Sequence, residues 1–466
     1  MLLCVSESSS APLPSADRTT GATRAIAQIS NTILLNFITS GIIFNRRCFG
    51  KRSIEVYRKQ NPKLTSYGHS VPAKPGTEAE VETPYCPIER IHEAEGTRQA
   101  QLSLIWHGIR YNSRMEAIQT LKSYLGSLEI GPPISHQNLT LFPVTDGQSK
   151  DLTYLLLEEA MATGKFQITE LGFGTVPQLR LVNRTGRIVF LMDGEALVGA
   201  KQNRTLNTSI LAAAKSNFDI PVSCVEQGRW AFASQEMRRG SITYPDLRKL
   251  KHGSVYESLR FGGSYRSDQE RIWQSVRGKL ASMKVGSATV NMEEAYRAHE
   301  KSMEDFTANL AYPAGACGVI AAVEGRVICA DLFDSASTLE KLWSRLVSSY
   351  AMDALETSWI RRQVSAEASS ESSPRPSGRS AAADSRDTPA VTGQQAAGLL
   401  RIPDDAEIET FPSPGLGENV RFRHRRLTGH ALVYEDLAVH VALFGPEERA
   451  AAFRRPIRRP SQRRSS

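Results

Sequence analysis

The six cysteines of this chain, Cys4, Cys48, Cys86, Cys224, Cys317 and Cys329, include no C-x-x-C pair, and the nine histidines include no H-x-x-x-H spacing. Structural zinc sites draw ligands from such short separations, so spacing gives no metal site and implies no cofactor. Scattered thiols read as free cysteines of a reducing compartment, and the expected location is the cytoplasm. Also missing are G-x-G-x-x-G after a strand, G-x-x-x-x-G-K-[ST] and G-x-S-x-G, so dinucleotide fingers, phosphate loops and nucleophile elbows have no support. The apolar run Ile33–Phe44 falls short of the ~20 residues that cross a bilayer, and no membrane association is expected. The first sixty residues, rich in Ser/Thr and poor in acids, fit an organelle transit segment or an untidy extension equally well.

A formal charge of +8 and a pI near 9.1 invite a nucleic-acid reading. Residues 1–60 carry a net +5 and Gly445–Ser466 another +5, which leaves the body near −2. Nucleic-acid binding calls for a clustered basic patch on the folded body, so that class is disfavoured. The 466 residues could hold two or three domains. The 41% hydrophobic content, slightly low for a globular chain, fits sizeable unfolded stretches.

Order becomes convincing at the strand Asn138–Pro143. Next, Asp151–Gly164 reads as a helix capped by Asp151, with Leu152, Leu155, Leu156 and Ala160 on one face. Arg187–Met192 and Glu195–Ala200 read as strands joined by Asp193-Gly194, a type I′ hairpin that sets Met192 opposite Glu195. Asp219–Glu226 is a further strand, with Gly228 as a bulge or turn. Capping boxes start helices at Ser267/Glu270, Asn291/Glu294 (to Leu310) and Ser337/Glu340 (to Leu355). Cys317–Val323 and Arg326–Leu332 form a hairpin turned at Glu324-Gly325, and three strands fill Val420–Phe444. Arg98–Ile109 and Ser113–Leu125 could form short helices. The interleaving of hairpins and helices predicts an α+β fold, a largely antiparallel sheet with packed helices in a single main domain. Residues 1–125 are expected to be a poorly ordered extension, 361–400 a disordered insertion and 447–466 a disordered Arg-rich tail.

The chemistry concentrates between Asp193 and Trp230. Two polar blocks there, Gly194–Asn207 and Ser223–Trp230, grow out of apolar strand-like runs. The chain resembles the ADP-ribosylglycohydrolase and Rhodanese-Phosphatase-superfamily-associated protein domain family in Asn138–Pro143, in these two blocks, in Ala330-Asp-Leu-Phe-Asp334 and in Ser349–Leu355. The resemblance covers about Gly131 to Pro446, continues beyond the 361–400 stretch, and so makes that stretch an insertion within one domain. It implies a place in ADP-ribose or nucleotide metabolism by association.

Glu195 and Glu226 are the candidate acid/base pair, since two carboxylates around one ligand can be split into acid and base by environment. Strand alternation puts Cys224 on the face of Glu226, as a candidate nucleophile or a buried structural thiol. Lys201, Arg204 and Arg229 suit anionic oxygens, Gln202, Asn203 and Asn207 suit hydroxyls, and Trp230 suits a stacked base or the core. Asp331, at a strand end, is a ligand-binding candidate or a cap. Strand residues His430 and His440 read as satisfied histidines. The function these residues point to is an enzyme on an ADP-ribose-like or nucleotide-derived metabolite, with hydrolysis as the candidate reaction. The alternatives are a non-catalytic module for the same anionic small molecule, or a structural domain with a protein partner and a sealed polar network.

Overall fold

The computed structural model describes residues 114–146, 152–172, 177–371 and 391–446, with side chains to 365 in the long helix. In chain order these are α1 (residues 114–127), β1 (Leu128–Ile130), β2 (Ile134–His136), β3 (Leu139–Asp146), β4 (Tyr154–Leu156), α2 (Leu157–Ala162), β5 (Phe166–Glu170), β6 (Gln178–Asn183) and β7 (Ile188–Leu191). Then come β8 (Glu195–Gly199), β9 (Arg204–Leu206), β10 (Ile210–Ala212), β11 (Ser216–Cys224), β12 (Met237–Ile242), α3 (Pro245–Gly262), α4 (Gln269–Ser282), α5 (Met292–Ala298) and α6 (Glu300–Asn309). The last are β13 (Gly318–Val323), β14 (Arg326–Phe333), α7 (Ala336–Glu371), α8 (Gly393–Ala397), β15 (Glu407–Pro412), β16 (Glu418–Arg423), β17 (Thr428–Tyr434) and β18 (Leu437–Phe444).

The fold is α+β, with mostly antiparallel sheets in one main domain. A nine-stranded sheet runs β1-β3-β13-β14-β18-β17-β16-β15, with β2 added on β3. Alternation along its strands sorts two cores. Leu141, Val319, Phe333 and Leu432 face one side, under α3, α4 and α7. Phe142, Ile320, Leu332 and Ala431 face the other, under Ala117, Leu121 and Leu125 of α1 and Leu399 and Leu400 after α8. Being covered on both faces, β13 reads as an unbroken apolar run, Gly-Val-Ile-Ala-Ala-Val, buried throughout.

A six-stranded sheet, β12-β8-β9-β11-β6-β5, curls until the bridge Thr169↔Glu236 ties its two ends. Closure of this kind removes unpaired strand edges. A three-stranded sheet, β10-β7-β4, packs against it around Leu181, Leu197, Leu206 and Val222. Its β4–β7 pair is parallel.

Several expected elements take other forms. Asp193-Gly194 turns the chain without a hairpin: β7 pairs β10 and β4, whereas β8 pairs β9 and β12. The Glu195 amide donates to the Met192 carbonyl (3.2 Å), and only Gly194 has positive φ, at 83°. That geometry is a type II turn, used as a corner between sheets. The hairpin at Glu324-Gly325 is a two-residue turn with positive φ at both positions. The helix expected over Asp151–Gly164 shrinks to α2, because Tyr154–Leu156 pairs with β7 and ladder bonds outweigh helix propensity there. Asp268 caps α4 through its bond from the Arg271 amide, and Ser267 turns instead to Ser223. At His299 (φ −115°) the helix expected over Met292–Leu310 breaks into α5 and α6. The described chain is helical to Glu371 and from 114 onward, so the margins of both expected disordered stretches are folded. Arg98–Ile109 lies outside the described residues.

Candidate functional site

The two polar blocks fold into one knot where β8, β9 and β11 meet. Glu226 follows β11, and the Arg229 fork grips it through Nε to Oε1 (3.0 Å) and Nη2 to Oε2 (2.7 Å). Thr289 Oγ1 and the Asn203 amide donate to the same carboxylate, each at 3.0 Å. Arg229 also donates to the Ala200 and Gly199 carbonyls and to Asn203 Oδ1. Gln202 bridges the Glu226 and Gln227 carbonyls and accepts from Arg204 Nη1 (2.9 Å). Arg204 lies fully buried with its Nη2 3.6 Å from Glu170. The Cys224 thiol donates to the Glu226 carbonyl at 2.9 Å, and burial raises its pKa, so at neutral pH it stays protonated. Glu226 itself lies past the end of β11, so it is the loop, rather than strand alternation, that brings it beside Cys224.

Glu195 belongs to separate surroundings. Its Oε2 accepts from the Met192 amide (2.9 Å) and its Oε1 from Arg345 Nη1 (2.6 Å). Arg345 lines a cleft of about 480 Å³ together with Arg239, Ser241, Glu293 and Arg297. Glu195 and Glu226 thus have entirely different partners. Lys201 extends to the surface, its ammonium 5.4 Å from the Trp230 ring and 5.1 Å from that of Phe232, and both aromatics are more than half exposed. Asn207 closes the first block, donating to the Tyr265 carbonyl (2.8 Å) and accepting from Ser223.

Beyond Asn207 the first block runs into a second centre, the most heavily charged interior region described. The corner that directs Glu195 one way sends Asp193 the other. Asp193 contacts Lys251 Nζ (2.9 Å) and Arg248 Nε (3.3 Å), both on α3. Arg248 forms a bidentate pair with Asp331 (2.6 and 2.8 Å), which also accepts from Tyr350 (2.7 Å) and lies 3.3 Å from His440 Nε2. His440 Nδ1 meets Ser209 Oγ at 2.7 Å, and that hydroxyl accepts from the Asp193 amide. His430 Nε2 stands 3.9 Å from Asp193, stacked on His252 with centroids 5.4 Å apart. Arg421 donates to His252 Nδ1 (3.1 Å) and to Asn419, which bonds Thr208. All of these side chains are at most 1% exposed.

Burial opposes ionisation of Asp193 and Asp331, yet Lys251 and Arg248 hold the former, and Arg248 the latter, well below the usual carboxylate range. Burial drives His252 and His430 well below their ordinary value, aided by Arg421, so both are neutral. It also lowers Lys251. The register builds this centre: Asp331↔Ala442, Ala442↔His430 and His430↔Arg421 are directly paired, one row across β14, β18, β17 and β16. The α3 side chains Arg248, Lys251 and His252 sit at i, i+3 and i+4, one helical face laid over that row.

The model of one family, the ARG and Rhodanese-Phosphatase-superfamily-associated Protein domain (ARPP-1), matches residues 127–444, more than half of the chain. The chain belongs to this family. No curated protein and no solved structure matches. The ARPP-1 domain therefore spans the sheets, the polar knot and the buried centre, while α1 precedes it.

Of the residues singled out from sequence, the ARPP-1 domain brings Glu226, Arg229, Gln202, Asn203, Arg204 and Cys224 together. Asp331 lies in the second centre, Asn207 at its margin, and Glu195, Lys201 and Trp230 stand apart. Sequence reasoning passed over Arg248, Lys251, His252 and Arg421, and read His430 and His440 as satisfied. The available signal was a cationic i, i+3, i+4 face on α3 and polar residues at core-facing positions of β16 to β18. Among the described residues, Asp246, Asp353 and Glu356 form one group with metal-like spacing. Lys279 occupies it, 2.6 Å from Asp353, in contact with Glu356 and 4.2 Å above the Tyr244 ring. An internal ammonium thus takes the cation's place. No described helix is long and apolar enough to cross a membrane.

Proposed function

We propose that this domain is an enzyme acting on an ADP-ribose-like or other nucleotide-derived metabolite by acid/base chemistry, with the Asp193–Lys251–His430 centre as its reaction site. The ligand class rests on the place in ADP-ribose or nucleotide metabolism that the family resemblance implies by association. The observation that carries the reading is the buried centre itself. Ions sealed from water cost several kcal/mol each, and apolar replacements of equal volume are often as stable. Two acids, three cations and three histidines packed between α3 and one sheet face are costly as scaffolding and useful as chemistry.

In this reading neutral His430 takes a proton from an attacking water as the water oxygen forms its new bond. The imidazolium then returns that proton to the leaving atom, so one water is consumed and the imidazole is restored. Asp193 stabilises the transient imidazolium, and Lys251 and Arg248 keep Asp193 ionised. The paired-carboxylate version, with Glu195 and Glu226 as acid and base and Cys224 beside them, has less support, because each carboxylate is already held by its own partners. Arg229, Asn203 and Gln202 then serve as framework around the ligand. The sealing of the centre favours the second reading, a structural domain in which a closed polar network ties α3 to the large sheet.

Thermal shift and turnover of the full chain with ADP-ribose, NAD and AMP decide among these. ADP-ribose or AMP should raise the Tm, and His430→Gln should lower turnover by about 10²-fold or more. Binding without turnover by the unaltered chain selects a non-catalytic module. No binding to any of them removes the nucleotide reading.

A further inference from the structure

We infer that the row above Ala442 holds a small oxyanion, the phosphoryl or carboxylate group of a ligand, gripped by Arg421, His252 and His430. The inference rests on the reading above that this centre is the ligand site, and it names the part of the ligand bound there. Its basis is a set of buried groups with nothing to bind. Arg421 Nη2, His252 Nε2 and both ring nitrogens of His430 lack a hydrogen-bond partner. Each belongs to a side chain at most 1% exposed. An unmade buried hydrogen bond leaves a desolvated group uncompensated, and native folds seldom leave several unmade in one place.

The missing partner's chemistry follows from the donors. His252 Nδ1 accepts from Arg421 Nη1, so its proton sits on Nε2, and the backbone of Phe422 also bears on this ring. Arg421 Nη2 is a further donor, fixed in direction by the bonds of Nη1 and Nε. Neutral His430 adds one N–H. These donors sit on adjoining elements, His252 of α3 stacked on His430 of β17 and His430 paired directly with Arg421 of β16, while Ala442, the next residue of the row, contributes only a methyl. Arg248, Lys251 and Arg421 outnumber Asp193 and Asp331 by one positive charge. An acceptor-rich anion completes both the hydrogen bonds and the charge, whereas a cation would meet donors and a net positive field.

Such an oxyanion can come from free phosphate or from a phosphorylated metabolite. The full chain, dialysed free of phosphate, would be titrated calorimetrically with inorganic phosphate, AMP and ADP-ribose, alongside Arg421→Lys and His252→Leu. The expected result is saturable binding to the unaltered chain that weakens by about tenfold or more in both variants. Should a variant fail to fold, 31P NMR of the unaltered chain decides, through a bound phosphate signal displaced by ADP-ribose. Phosphate binding that no nucleotide competes with supports the subsite and sinks the ADP-ribose reading instead. Equal ADP-ribose affinity in all three proteins overturns the subsite and leaves the proposed function standing. Absence of anion binding to the unaltered chain also overturns it, and the donors then carry water.

Discussion

Three carboxyl groups and one ammonium meet where α3, α4 and α7 converge, and that arithmetic leaves a proton to share. Burial raises Asp353 from 3.8 to about 7, against the pull of Lys279 and helped by Asp246 and Glu356. A folded pKa above the unfolded one means that the native state binds the proton more tightly. The resulting stability is fully present below about pH 4 and is lost as pH rises through about 7. In Asp353→Asn the component between pH 4 and 7, on the order of 2–4 kcal/mol, should vanish from urea midpoints measured across that range. An unchanged slope in the variant would refute the assignment. Residues of this kind were hidden in the sequence. A Lys or Arg on a helix ordinarily faces water, and Lys279, Arg248 and Lys251 turn inward only because Asp353, Asp331 and Asp193 arrive from distant elements. Asp331 stands out in the sequence at the end of a strand before a helix, but nothing nearby in sequence shows its fork with Arg248.

At the scale of elements, legibility followed how local the deciding interaction is. The Glu324-Gly325 hairpin depends on neighbours in sequence and forms as expected; Asn291 caps α5 as expected, but through the Glu293 amide rather than in a box with Glu294. Asp193-Gly194 carries the same dipeptide signal, yet β7 finds β10 and β4 while β8 finds β9 and β12, and those partners cannot be read locally. Gly194 could not be exchanged for alanine there: its φ is 83° and a Cβ would stand 2.8 Å from Arg248 Cδ. Helix α1 poses a question of boundary, since the family match begins at its last residue. Leu121 is nevertheless wholly buried against the sheet. Leu121→Ala should cost about 2–5 kcal/mol in chemical denaturation, while Met115→Ala on the exposed side should cost less than about 0.5. Equal, small effects would make α1 an appendage.

On the scale of the whole molecule, one core joins the sheets. Phe190 and Met192 of the β7 corner, Leu211 of β10 and Val225 after β11 pack with Leu141, Phe333 and Leu432 of the large sheet and Ile272 and Leu346 of the helices. Long chains often unfold in stages, but a shared core couples its parts. Near- and far-UV circular dichroism should therefore give coincident urea transitions, and a displaced pair of midpoints would show that the closed sheet is an independent unit. The α+β class was legible because period-two strands and capped helices are local patterns; the division into three sheets was not, since pairing partners are set by packing. The row Asp331, Ala442, His430, Arg421 has a further consequence. Its first member lies about a hundred residues ahead of the others, with α7 and the 372–390 stretch between. A nascent chain released before β16 carries every part of the polar knot and none of Arg421, His430 or His440. The buried centre is thus completed only in the finished chain, when the most distant contacts close, which are the slowest to form.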